Sequence, residues 1–390
     1  MIAFKNIFSK IACFTLILSI FHVKMYATDG IISVKQPDPD SCIGQQQAFV
    51  KTYNQTFAVG KKETVVLSNK YGKIDVHIGN VDKVIVVVNV RVNAVSQDQA
   101  NKTFDRVNIK FTDAPDFVKT ETEITPLSKD WGWGNKSNNA DFSIDYDVTM
   151  PANNALDVSN KYGNSYIGLL TSNVKIDQKY GDFRLESASI ATVSLAYGGG
   201  QMDNLTALNA VVSYGKLTCP MIKDVQLKSK YSAFKFDKIG SLDIKSAYDD
   251  YEVNHVKMIK MDAQYGDMSI GNVENMTVRS SYTDFKIKEI HNNSDFKTDY
   301  GNVRIGSLKN GFGAMNINSN YTDYIVTIDK SISYQLDAVG LHADVQQPIS
   351  LKTTIDKTTN SRREIIGVVG NTSTKNTIKV RLTYGDFKIR

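Results

Sequence analysis

The sequence predicts an all-β protein, a parallel, right-handed β-solenoid of about 17-residue coils preceded by a strand-rich region with one short helix. Three observations predict it. A tyrosine returns at Tyr180, Tyr197, Tyr214, Tyr231, Tyr248, Tyr265 and Tyr282, six successive intervals of 17 residues, with looser copies at Tyr162, Tyr300 and Tyr321. The residues between the tyrosines fall into columns of fixed character. The pentapeptide SNKYG, at 68–72 and again at 159–163, puts an early copy of the unit far upstream.

Counted from each tyrosine, the first position holds Gly163, Gly181, Gly198, Gly215, Gly266 and Gly301, and the second holds Asp182, Asp250, Asp267, Asp284 and Asp323. Gly-Asp is turn chemistry. Positions three and five are apolar (Phe234 and Phe236, Met268 and Ile270, Phe285 and Ile287), as are eight (Ile222, Ile239, Val256) and eleven and thirteen (Val225 and Leu227, Leu242 and Ile244). Position fifteen is often small, as at Ser229, Ser246, Ala263 and Ser280. Strand side chains alternate, so positions eleven, thirteen, fifteen and seventeen share a face, and the tyrosine is expected inside. On that reading Tyr231→Ala and Ile244→Ala each cost about 2 to 5 kcal/mol as core truncations. Right-handedness is the default for parallel crossovers.

Taken in order, residues 1–27 read as a signal peptide: Lys5 and Lys10 precede an apolar run over 11–23, and Ala27 offers a small residue for cleavage. That run of 13 residues is too short to span a bilayer, and no later segment is continuously apolar, so no transmembrane segment is expected after cleavage. Residues 28–47 form a polar leader with Pro37 and Pro39. Residues 48–150 form an N-terminal β-rich domain whose run VIVVVNVRV, over 84–92, is a buried strand. Its one helix follows Ser96 over 97–107, with Ala100, Phe104 and Val107 at helical spacing. The repeats occupy 151–330. Residues 331–390 form a C-terminal cap, irregular over 331–347 and 352–363 and returning to the repeat unit at Tyr384-Gly385-Asp386-Phe387, whose strands are expected to pair with the solenoid end and cover its exposed edge.

Loss of residues 1–27 removes Lys5, Lys10 and Lys24 and no acid, taking the net charge from +5 to +2, too little to argue for nucleic acid. Only Cys42 and Cys219 then remain, which is no disulfide framework, although one bridge between them is open. No cofactor is implied. His77, His255, His291 and His342 stand at no metal-ligand spacing, and the glycines follow the repeat instead of clustering before a helix.

Two features could carry recognition. Asp250, Asp267 and Asp284 stack one strand apart, as calcium ligands could, but an aspartate after a corner glycine caps backbone through its own side chain, and Gly199, Lys216 and Ala233 interrupt the column. Trp131 and Trp133, two indoles among glycines in a polar loop, are the candidate ligand contact. The tyrosine column could pass for a sugar platform, but parity turns its rings inward.

The YGDF-type coils, the SNKYG pentapeptides, the secretory start and the strand-rich leading region resemble the bacterial putative-adhesin families of tandem β-strand repeats. Relatives of the autotransporter-adhesin head domain called GIN, common in Bacteroidetes envelopes, are among them. The resemblance implies an exported, non-enzymatic adhesin or scaffold, in the periplasm or at the cell surface, whose partner is a glycan or an envelope protein. Two other classes stay open. One is a polysaccharide lyase or hydrolase on a β-helix, though the coils from 180 to 282 leave no room for catalytic loops; the other is an envelope sensor binding another protein.

Overall fold

The structure, a computed structural model, describes residues 46–126 and 141–390. The expected signal peptide, most of the leader and Cys42 lie outside the described residues. The chain forms β1 (Gln47–Ala58), β2 (Thr64–Lys70), β3 (Ile74–Gly79) and β4 (Lys83–Ala94), then helix α1 (Gln97–Phe104). Next come β5 (Val107–Ala114), β6 (Phe117–Ile124), β7 (Asp141–Pro151), β8 (Ala155–Lys161), β9 (Ser165–Leu169) and β10 (Val174–Lys179). Within the repeats strands run into one another as β11 (Phe183–Lys230), β12 (Ala233–Ile290), β13 (Ser294–Leu308) and β14 (Ala314–Ile328). The chain ends with β15 (Tyr334–Gln346), β16 (Lys352–Thr359), β17 (Arg362–Val369) and β18 (Thr377–Ile389).

Helix α1 stops at Phe104, short of Val107, which opens β5. Its start is as expected: Ser96 Oγ accepts from the Gln99 amide at 3.3 Å, and Ala100 and Phe104 are buried.

Pairing along the repeats is parallel. Val174 lies beside Ala191 and Lys216 beside Ala233, each 17 residues on, while Met276 lies beside Ser294 and Ser294 beside Met315 where the period loosens. Equivalent residues therefore stand above one another at the strand spacing of about 4.8 Å. The core follows the apolar columns: Phe234, Phe236, Ile239, Leu242, Ile244, Asp249, Tyr251, Val253 and Val256 all point inward. Steps of two mark the strands, and steps of three mark corners. An odd period such as 17 cannot be met by alternation alone, so each repeat needs an odd number of such slips.

Ile244 is 1% exposed. Its truncation to Ala should lower unfolding free energy by about 2 to 5 kcal/mol in urea melts.

The tyrosines are not inside. Ser229 is buried, Lys230 and Tyr231 both face out, and Ser232 is buried again. The cause is backbone conformation: Tyr231 has φ 52°, and every column tyrosine lies between 49° and 63°. Alternation holds only for extended backbone, and one left-handed residue turns two successive side chains to the same side. At several corners the buried residue two before the tyrosine is polar and supplies a donor to a nearby backbone carbonyl, whereas Leu195, Val212 and Ala263 fill the same position elsewhere. Asn69 Nδ2 donates to Ile144 O at 2.7 Å, Asn160 Nδ2 to Gly72 O at 3.1 Å, and Gln178 Nε2 to Gly163 O at 2.6 Å.

One corner buries a carboxylate. Asp249 accepts from Ser229 Oγ, Ser246 Oγ and the Ser232 amide, each at 2.7 Å. Desolvation raises its pKa, with those hydrogen bonds opposing. A raised carboxyl contributes stability that is complete below the unfolded value of about 3.9 and is lost as pH rises through the folded value. Melting curves of Asp249→Asn, which has no such proton to lose, should therefore gain on the parent protein as pH rises from about 3 to 7. A constant difference over that range would contradict the burial.

Chain order and spatial order part company at both ends. The insertion after β3 returns as β6, parallel to β2, and β7, parallel to β3, while β1 and β5 pair antiparallel with β4 and β6. At the other end β18 lies between β14 and β15, pairing parallel with both, and β17 and β16 continue antiparallel beyond β15. The returning YGDF segment thus pairs with the last repeat strand, β14, and is itself covered by β15.

Candidate functional site

Twelve tyrosines and one histidine form a single outer column: Tyr71, Tyr162, the series from Tyr180 to Tyr321, then Tyr384 and finally His342. Successive ring centroids are 4.6 to 5.2 Å apart with interplanar angles of 2° to 11°. Phe142 closes the upstream end edge-on to Tyr71 at 5.7 Å. His342, one of the histidines at no metal-ligand spacing, occupies the column at φ 51°. It was legible in one respect: Ala343 and Asp344 pair with Gly385 and Asp386, so LHAD stands where TYGD does.

Each ring is 39 to 50% exposed, yet the ladder is no sugar platform, because each interior ring gives both faces to its neighbours and shows water its edge and hydroxyl. The left-handed backbone costs about 1 to 2 kcal/mol for a residue with a Cβ. Two stacking contacts of about 0.5 to 1.5 kcal/mol each offset it. Tyr231→Ala should thus cost about 1 to 3 kcal/mol through lost stacking. Tyr231→Gly should cost less, since glycine tolerates this conformation. Chemical denaturation of the two variants checks the order; alanine above glycine would contradict it.

Asp250, Asp267 and Asp284 are exposed beside the ladder. Asp250 Oδ1 accepts from the Asp267 amide at 3.3 Å, and Asp284 Oδ1 from the Asn302 amide at 2.7 Å. The same bond recurs from Gly199 to Asp182 at 2.6 Å and from Asp386 to Asp323 at 2.8 Å. Asp182, Asp250, Asp284 and Asp323 thus each hold the corner of the neighbouring repeat. Among the described residues no three His, Cys, Asp or Glu side chains gather as metal ligands. Trp131 and Trp133 lie outside the described residues. Cys219 is buried in an inward position, where burial pushes its thiol up to about 12.

Two surface concavities break the regularity. On the strands that precede the tyrosines, a trough of about 860 Å3 runs from Val66 to Lys245. It crosses eight strands, about 34 Å at the usual spacing. Outward positions on this face can carry opposite charges that close on each other, as Lys175 does on Asp157 at 2.9 Å within the trough's own lining and Arg381 on Asp337 at 2.9 Å beyond it. In the trough's floor they are Thr192, Ser194, Asn209, Val211 and Gln226, short or neutral, with Lys119, Lys175, Lys228 and Lys245 around them. On the strands that follow the tyrosines, a hollow of about 520 Å3 is lined by Tyr166, Asp182, Arg184, Gly199, Gln201 and Lys216.

No family model matches the chain, and no curated protein does. Solved structures do. A putative cell adhesion protein from Clostridium sporogenes is 13% identical over 88% of this chain and 99% of its own, at a TM-score of 0.19. A putative adhesin from Bacteroides fragilis is 10% identical over 86% of this chain and 97% of its own, at 0.26. A putative lipid binding protein from Parabacteroides distasonis is 9% identical over 86% and 97%, at 0.21. At scores this low, function has to be read from this chain's own surface. Among the described residues no helix is long and apolar enough to cross a membrane.

Proposed function

We propose that this is an exported, non-enzymatic binding scaffold of the cell envelope, in the manner of the tandem-repeat adhesins its repeats resemble. Its coils of about 17 residues wind as a right-handed parallel β-solenoid, and the pre-tyrosine face lays an extended envelope polymer along the trough. The trough's floor carries the reading. Where neighbouring repeats tie their outward side chains into ion pairs, Thr192, Ser194, Asn209 and Gln226 leave hydroxyls and amides open along the axis. A rigid row of such groups at a constant spacing suits a ligand that is itself a repeat.

The test is a glycan array run beside a pull-down from envelope extracts, using the mature protein and Asn209→Arg, which fills the floor without touching the core. Retention of an extended glycan by the parent protein, weakened at least tenfold in the variant, is the expected result. Equal retention by both would remove the trough from the account. Cleavage of the captured polymer would replace the scaffold with an enzyme.

A further inference from the structure

Tyr166 is the one exposed tyrosine among the described residues that stands outside the ladder. It lies four residues after Tyr162, facing out from β9, and is 44% exposed. The same outward position in later repeats holds Arg184, Gln201, Thr218, Lys235 and Glu252, the last two joined in an ion pair at 2.9 Å. Tyr166 instead lies beside Arg184 in register, and among the described residues its ring stacks on no other aromatic ring. Unlike the ladder tyrosines it has a ring face to give.

Two repeats on, the pattern breaks again, two positions nearer the tyrosine. Gly199 occupies the outward position held by Asp182 in the repeat before it and by Lys216 in the repeat after it. The missing side chain opens the hollow: a Cβ at Gly199 would already lie 3.0 Å from Asp182 Oδ1. Asp182 is occupied, since its Oδ1 accepts the Gly199 amide at 2.6 Å. The cations are freer. Arg184 reaches only Asp203, at 3.7 Å, and among the described residues no carboxylate lies within 4.0 Å of Lys216.

We infer that this hollow binds a hexuronate unit of an acidic polysaccharide. The pyranose ring lays its apolar face on Tyr166, its carboxylate sits between Arg184 and Lys216, and Gln201 hydrogen-bonds a ring hydroxyl. A volume of about 520 Å3 holds one or two sugar units. The site is separate from the trough, on the other side of the tyrosine column, and does not depend on what the trough holds.

Titration calorimetry with oligouronates and with neutral oligosaccharides of equal length tests it. The parent protein should prefer the oligouronate at least tenfold, more so at low salt. Tyr166→Ala should weaken both classes, and Lys216→Glu should abolish the preference, with melting temperatures unchanged because both positions are on the surface. Asn209→Arg, in the trough, should leave oligouronate binding intact, which separates this site's failure from the trough's. Absence of oligouronate binding by the parent protein, or full binding by Tyr166→Ala, would overturn the assignment.

Discussion

Deleting residues 371–390 should unravel the chain beyond β13 while leaving the upstream repeats folded. The deletion removes β18, and with it Ile378, Val380, Leu382, Phe387 and Ile389, all buried. At about 1.5 to 3 kcal/mol each, that burial is comparable with the whole stability of an ordinary domain. Along most of their length β15 loses its parallel partner and β14 loses one of two, keeping β13 on its other side. Stacked repeats contact only their neighbours, so the damage should stay local. Hydrogen exchange should show protection lost over β14 to β17 and kept from β8 to β12. Retained protection in β15 would mean that β14 and β15 can close on each other without the intervening strand.

The second large effect belongs to Gly198→Ala. A Cβ there would lie 2.0 Å from the carbonyl oxygen of Gly181 in the preceding repeat. That oxygen is backbone in a stack whose spacing is fixed by hydrogen bonds on both sides, so it cannot retreat as a side chain would. The loss should exceed about 4 kcal/mol, the range reserved for severe steric or cavity defects. The adjacent Gly199→Ala, whose Cβ faces outward and meets only the end of the Asp182 carboxylate at 3.0 Å, should cost about 1 kcal/mol or less. Equal melting of the two variants would deny that the corners meet backbone to backbone.

These two glycines also show how far the sequence can be read. The period, the apolar columns and the Gly-Asp corners follow from spacing alone, and the parallel register between Val174 and Ala191 or Lys216 and Ala233 agrees with them. The face of the tyrosines does not follow by alternation, because a left-handed corner has no apolar signature of its own. Its trace was present in the columns: inward residues step by three from position fifteen to the next position one, which places a phase slip at the tyrosine. His342 does not stand out in the sequence because the column is defined there by tyrosine, whereas the structure defines it by positive φ, shared by thirteen column residues and otherwise, among the described non-glycine residues, only by Asn360.

Spatial order was the harder matter. The segment at 384–387 is visibly a repeat, but its place between β14 and β15 depends on which strand edges the intervening 50 or so residues leave open, and no local pattern encodes that. The hollow is similar. Tyr166 and Gly199 each read as an exception to a column, and they become neighbours only once the repeats stack.

The central claim, that the tyrosines form an outer ladder with the apolar columns inside, is tested most directly by the reactivity of the tyrosines in the native protein. Limited iodination followed by peptide mapping would separate the twelve ladder tyrosines from Tyr146, Tyr251, Tyr324 and Tyr334, which are at most 3% exposed. Label on the ladder, Tyr231 and Tyr265 included, and none on the four buried tyrosines until the protein unfolds is the expected result. Protection of Tyr231 and Tyr265 to the same degree as Tyr251 would put the column inside and contradict the claim.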